Sequence, residues 1–186
     1  MIDRARLVSV NLAADRTLRI RGLEVRTGIY KEPAAGRVHL TRLGLEGDFQ
    51  ADPRYHGGPE KAVYLYPSEH YPHFRELLSR PELSPGFFGE NFTTEGLLED
   101  DVNVGDVFRV GTAVLQVTTP RSPCFKLGAK VGSPRFIKTF LESRRLGFYL
   151  AVLEEGEVGA GDLIGRVAVD PAGFTVAALI EQRFFH

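Results

Sequence analysis

Apolar and polar residues alternate over residues 6–12, and this period-two pattern predicts a strand. Similar short pieces recur at residues 19–28, with Ile20, Leu23 and Val25, and at residues 36–40. Residues 62–66 are continuously apolar and β-prone, which predicts a buried strand. Residues 102–111 read as strand, turn, strand, and residues 113–118, 147–153 and 163–169 as three further strands. Two stretches carry the helical period instead. In residues 67–78, Tyr71, Phe74, Leu77 and Leu78 fall on one face, with Ser68 as the expected cap and Pro72 in the first turn. From Ser133 to about Arg144, Phe136, Ile137, Phe140 and Leu141 form the apolar face, with Ser133 as cap and Pro134 at the first helical position. Residues 174–186 form a tail with a helical turn or two. Many short strands and two clear helices predict a mainly β, α+β fold. The expected form is a closed or nearly closed antiparallel β-barrel with helices at its mouth; the alternative is an open α+β sandwich.

Composition narrows the function classes. A chain of 186 residues suits one domain and can bury a substantial core. The formal net charge of −1 gives no global field for nucleic acid, so any anion site must be a local basic cluster. A single cysteine excludes an internal disulfide framework and a cysteine-rich zinc site. The N-terminus lacks a signal-peptide core, and no apolar stretch approaches the roughly 20 residues that span a bilayer. Cytoplasmic location, with no membrane partner, is the expectation.

Three segments carry exposed chemistry. Residues 44–61 run long without a regular pattern, as functional loops do. There, Gly57 and Gly58 could offer backbone amides to an anion, Lys61 adds a cation, and His56 can ligate or move a proton. The competing reading is a plain turn-rich surface loop. Residues 89–97 place Asn91, Thr93 and Thr94 between glycines, a set of neutral donors equally common in turns. Residues 119–127 hold the sole cysteine, Cys124, after two prolines and Ser122, between Arg121 and Lys126. Nearby positive charge favours the thiolate, the form that attacks or ligates metal. A lone intracellular cysteine is more often a small core residue. His70 and His73 are three apart but have no further ligand nearby, so zinc is not expected.

Taken together, residues 47–63, 88–97 and 120–127 resemble the MOSC domain, named for the C-terminal part of molybdenum cofactor sulfurase, and within it the YiiM-like bacterial branch. The resemblance covers residues 1–169 and leaves 170–186 as a short tail; the branch usually continues into a helical C-terminal domain, and the expectation is that it is truncated or absent here. It implies a β-barrel that binds the molybdenum cofactor, with the Cys124 thiolate on the metal, and reduction of N-hydroxylated compounds such as N-hydroxylated purine bases. In that setting Arg121, Ser122, Lys126, Gly57, Gly58, Lys61, Asn91, Thr93 and Thr94 would hold the phosphate and pterin. His56 would position substrate or shuttle a proton. The sequence has no dinucleotide motif or iron–sulfur cysteine cluster, so electrons would come from an external donor protein. A homodimer is possible. Two alternatives use the same cysteine: a non-catalytic carrier of cofactor or persulfide sulfur, and a cysteine hydrolase with His56 or His70 as base.

Overall fold

The computed structural model describes residues 5–20, 22–51 and 57–186. The strands are β1 (Arg6–Ala13), β2 (Arg16–Ile20), β3 (Leu23–Thr27), β4 (Lys31–Pro33), β5 (Val38–Thr41), β6 (Gly44–Leu45), β7 (Val63–Pro67), β8 (Phe92–Glu95), β9 (Val107–Val110), β10 (Ala113–Pro120), β11 (Phe148–Glu154), β12 (Gly156–Val158) and β13 (Ile164–Ala168). The helices are α1 (Tyr71–Leu78), α2 (Phe125–Val131), α3 (Phe136–Glu142) and α4 (Val176–Phe184). The architecture is α+β and mostly sheet.

Eight strands form the main sheet in the order β13-β9-β10-β11-β7-β8-β1-β4. Neighbours are antiparallel except β7 and β8, whose parallel pairing needs a crossover. That crossover carries α1 and the loop that follows it. An isolated bridge, Arg6 to Leu163, links the β13 end back to β1. Around it Leu7 N–H donates to Asp162 O at 2.8 Å and Ile164 N–H to Ala5 O at 2.8 Å. The expectation of a closed or nearly closed barrel is thus met here only as far as a mostly-sheet α+β fold with that bridge.

α1 and α3 cover one region of the sheet through an aromatic cluster. Tyr66, Phe74, Phe88 and Phe140 are fully buried, with Tyr66–Phe88 centroids 4.7 Å apart and Phe74–Phe140 5.3 Å apart. Truncating such a ring costs about 3–5 kcal/mol. Phe88 belongs to the loop ahead of β8, so the cluster also fixes that loop.

The helices differ from the sequence expectation in instructive ways. Residues Ser68–His70 form a 3₁₀ turn and α1 starts at Tyr71, with no side-chain cap from Ser68. Pro72 permits the start but shifts it past the serine. α3 likewise starts at Phe136, after a turn over Ser133. The cysteine loop is shorter than expected, because α2 begins immediately after Cys124. α4 runs nine residues, longer than a turn or two, and Thr175 caps it by accepting from Ala178 N–H at 3.1 Å.

Candidate functional site

A cleft enclosing about 610 Å³ opens where β10 ends and α2 begins. Cys124 lines it from the extended N-cap position of α2, with φ −123° and ψ 166°. Its thiol is partly exposed. Two prolines stiffen the approach, Pro120 closing β10 and Pro123 preceding the cysteine.

Arg121 sets the floor. Its backbone N–H donates to Gly147 O at 3.1 Å. Nη1 donates to Tyr64 Oη at 3.0 Å and to Phe88 O at 2.8 Å. The guanidinium lies 4.4 Å from the Tyr64 ring centroid, a desolvated cation–π contact of about 2 kcal/mol. Tyr64 Oη in turn donates to Leu146 O at 2.7 Å. Nε of this buried arginine has no hydrogen-bond partner among the described residues. A buried donor without a partner costs about 1–3 kcal/mol, so a ligand acceptor there would recover stability. Burial holds the phenols of Tyr64 and Tyr149 above their usual range, so both are neutral donors.

Lys61 reaches the cleft from the end of the 3₁₀ turn Pro59–Lys61. Thr118 Oγ1 ties that turn down by donating to Glu60 O at 2.6 Å. The Lys61 ammonium sits 5.7 Å from the Tyr149 ring centroid. Lys126 also lines the cleft, with no hydrogen-bond or ion-pair partner among the described residues. Asn91 also lines the cleft, but its side chain is committed: Nδ2 donates to Asp48 Oδ2 at 2.8 Å and Oδ1 accepts from Tyr64 N–H at 3.1 Å.

The other expected contacts lie elsewhere or outside the described residues. His56 is not among them. Gly57 and Gly58 are described but do not line the cleft; Gly58 has φ +79° and its carbonyl accepts from Lys61 N–H at 3.0 Å. Thr93 is buried away from the cleft, where its hydroxyl donates to Glu90 Oε1 at 2.9 Å. Thr94 is fully buried on β8 with Oγ1 unpartnered. Ser122 is half-buried beside the cleft.

The structure adds residues that the sequence reading missed. Lys31 and Asp48 form a buried ion pair on the cleft wall, Nζ lying 2.5 Å from Oδ1 and 2.7 Å from Oδ2. Glu90, fully buried, accepts from Thr93, from Tyr71 Oη and from the N–H groups of Gly86 and Phe88. Lys130 of α2 donates to Ile29 O at 2.9 Å and Gly86 O at 3.2 Å, lashing three cleft-forming segments together. Burial first, then Arg121 and Lys31, bring its ammonium down to about 8. Asp48 lies in the 47–63 segment that carries the family resemblance, but nothing there marks it as an ion-pair partner.

Three buried cations, Lys31, Lys130 and Arg121, thus face two buried carboxylates, Asp48 and Glu90. With Lys61 and Lys126 at the rim, the cleft is built for an anion. Among the described residues no three His, Cys, Asp or Glu side chains cluster as a metal site. A single sulfur donor in a cationic cleft suits a metal that brings its other ligands on an anionic chelator.

A second, larger cleft of about 970 Å³ lies under α4. Its buried charges are matched: His70 Nε2 meets Glu99 Oε2 at 2.8 Å and Glu99 Oε1 accepts from Gly147 N–H at 2.8 Å; at the surface Arg144 pairs with Glu181, while Asp100 and Arg145 have no ion-pair partner among the described residues. No helix among the described residues is long and apolar enough to cross a membrane.

Comparison with known proteins gives the family and the fold. Residues 52–165 match the MOSC domain family. The uncharacterized protein YflK of Bacillus subtilis (strain 168) is 49% identical over 174 residues, which is 94% of this chain and 78% of that protein. A protein of Gibberella moniliformis (strain M3125 / FGSC 7600) that bears the name reductase is 38% identical over 146 residues, 77% of this chain and 26% of that much longer protein. The crystal structure of YiiM from Geobacillus stearothermophilus superposes with a TM-score of 0.79 at 35% identity, covering 95% of this chain and 82% of that one.

Proposed function

Since the chain belongs to the MOSC domain family, we propose that its cationic cleft holds a molybdenum cofactor and that the protein reduces N-hydroxylated compounds. The observation that carries this reading is the unpartnered, buried Nε of Arg121 in the same cleft as the sole cysteine. A buried donor without an acceptor marks where an acceptor belongs. The reductase-named relative supports the reaction class.

When bound, the cofactor supplies a metal that passes an electron pair to the N–O bond. The chain's residues do the rest. Cys124 would hold the metal through its sulfur, a soft ligand suited to a metal already held by sulfur. Arg121 gives Nε–H to an oxygen of the anionic ligand while Tyr64 and Phe88 O keep its plane fixed. Lys61 and Lys126 hold the phosphate as compact cations. Asn91 braces Asp48 and Tyr64 from behind. The tyrosine pair Tyr64 and Tyr149, 5.4 Å apart, forms an apolar floor that keeps water from the metal side. The bridge from Arg6 to Leu163 supports reading the sheet as a barrel drawn nearly closed behind this floor. Electrons come from an external donor protein, and the reaction is placed in the cytoplasm.

Purified protein from a host that makes the cofactor, supplied with a reductant, should convert an N-hydroxylated base to the parent base and water. Cys124→Ser should lose that activity by two orders of magnitude or more while keeping its melting temperature. Equal activity in the serine variant would refute the assignment. Transfer of intact cofactor to an acceptor apoenzyme, with no reduction by the wild type, would make the protein a carrier.

A further inference from the structure

Reduction of an N–O bond needs protons as well as electrons, and the cleft wall holds a group that fits that need. Lys31 starts β4 and lines the cleft, with its side chain 7% exposed. An ammonium has three N–H bonds. Two are engaged by Asp48, at 2.5 and 2.7 Å, and no other partner is found among the described residues. Asp48 itself is saturated. Besides Lys31 it accepts from Ala13 N–H at 2.8 Å on Oδ1 and from Asn91 Nδ2 at 2.8 Å on Oδ2. It therefore has no capacity left for a ligand or a proton. The lysine, with one donor remaining, is the member of the pair that can act on a bound molecule.

Resting on the reductase reading above, we propose that Lys31 is a catalytic residue that protonates the oxygen leaving the substrate's N–O bond, and that Asp48 is the positioning residue that aims it. The balance is closed by named sources. The N–O bond breaks; nitrogen gains an electron pair that comes from the external donor protein, which is oxidised. The departing oxygen takes the Lys31 proton and leaves as water. Nitrogen takes a second proton from solvent, and neutral Lys31 is reprotonated from solvent. The other charged groups around Lys31 are Glu90 ahead of β8, which favours its charge, and Lys130 of α2, which opposes it. Burial outweighs the pull of Asp48 and brings the ammonium below its ordinary value, which makes it a better acid than a surface lysine.

The test compares metal-loaded wild type with Lys31→Gln and Lys31→Arg. In Lys31→Gln, kcat should fall on the order of 10²-fold, with KM within a few-fold and molybdenum content unchanged. Wild-type kcat should decline on the alkaline side before an ordinary lysine would titrate, and that limb should vanish in the variant. Methylammonium should restore part of the rate to Lys31→Gln. Lys31→Arg keeps the ion pair but holds its proton too tightly, so it should fold and still be slow, which covers the case where the glutamine variant is unstable. Independently of turnover, the Lys31 signal in the ¹³C NMR spectrum of reductively methylated full-length protein should titrate below the ordinary lysine range. A fully active arginine or glutamine variant, absence of rescue, or an ordinary titration would overturn the proposal while leaving the reductase reading intact. Wild type without molybdenum would sink both.

Discussion

The cleft beside α2 and the cleft under α4 are built from the same kinds of residue and differ in how completely their buried donors are matched. Under α4, His70 meets Glu99, Glu99 also takes the Gly147 N–H, and Arg144 meets Glu181. Beside α2, Arg121 keeps an unpartnered Nε, Lys126 has no partner among the described residues, and cations outnumber carboxylates. The larger cleft, about 970 Å³ against about 610 Å³, is the one whose lining has no buried side-chain atom without a partner. Size alone would point to the cleft under α4. Incomplete satisfaction is a guide beside size, because an unmatched buried donor costs free energy that a ligand acceptor can return.

Gly147 lines neither cleft but ties a residue of one to a residue of the other. Its carbonyl accepts from Arg121 N–H and its N–H donates to Glu99. Its φ is +67°, and an added Cβ would lie 2.3 Å from Leu65 O. Gly147→Ala should therefore damage both clefts at once, with a loss of about 4 kcal/mol in denaturant unfolding. Molybdenum binding should fall with it.

The next largest effect should separate the clefts. Glu99→Ala leaves His70 and the Gly147 N–H unmatched in a buried site, and should cost about 3 kcal/mol. Molybdenum content of the folded fraction should stay at the wild-type level. A variant that kept its stability but lost metal would erase the contrast drawn between the two regions.

Lys130 gives a pH signature confined to the cleft beside α2. Its folded value of about 8 lies below the unfolded 10.5. Between those values the unfolded chain holds the extra proton, so this group makes stability rise with pH across that window. The cost of the buried charge is fully present below pH 8. Lys130→Met should flatten the slope, removing about 1–2 kcal/mol of pH dependence between pH 8 and 10 when its unfolding curves are subtracted from those of the wild type. An identical slope in both proteins would mean that the lysine is solvated rather than buried.

The smallest effects belong to the rim. Lys61→Gln and Lys126→Gln should each weaken retention of a phosphate-bearing ligand about five-fold, roughly 1 kcal/mol, and leave the melting temperature within a degree. Release rates from loaded protein would show it. No change in either would place the anionic end of the ligand elsewhere.

Much of this was legible in the sequence, for physical reasons. The strands at residues 62–66, 113–118 and 147–153 announced themselves because each is a run of β-prone apolar residues, and they became β7, β10 and β11. Cys124, Arg121 and Lys126 were found because they are neighbours in the chain. Helix starts were displaced because serine and proline signals compete with local turns: Ser68 and Ser133 both look like caps and both sit in turns before the helix. Lys31, Asp48, Glu90 and Lys130 were missed because their partners are brought close only by the fold. A lysine at position 31 and an aspartate at 48 carry no pattern that marks them as an ion pair. The polar run at 91–94 shows the opposite error source. Strand alternation and tertiary pairing turn Asn91 toward Asp48 and Thr93 toward Glu90, which no reading of composition could anticipate.

The most direct measurement is the molybdenum-to-protein ratio, by mass spectrometry, in wild type and Cys124→Ser expressed in a host that makes the cofactor. Near-stoichiometric metal in the wild type that falls sharply in the serine variant is the predicted result. Equal metal in both, or none in the wild type despite an available cofactor, would contradict the assignment of this cleft.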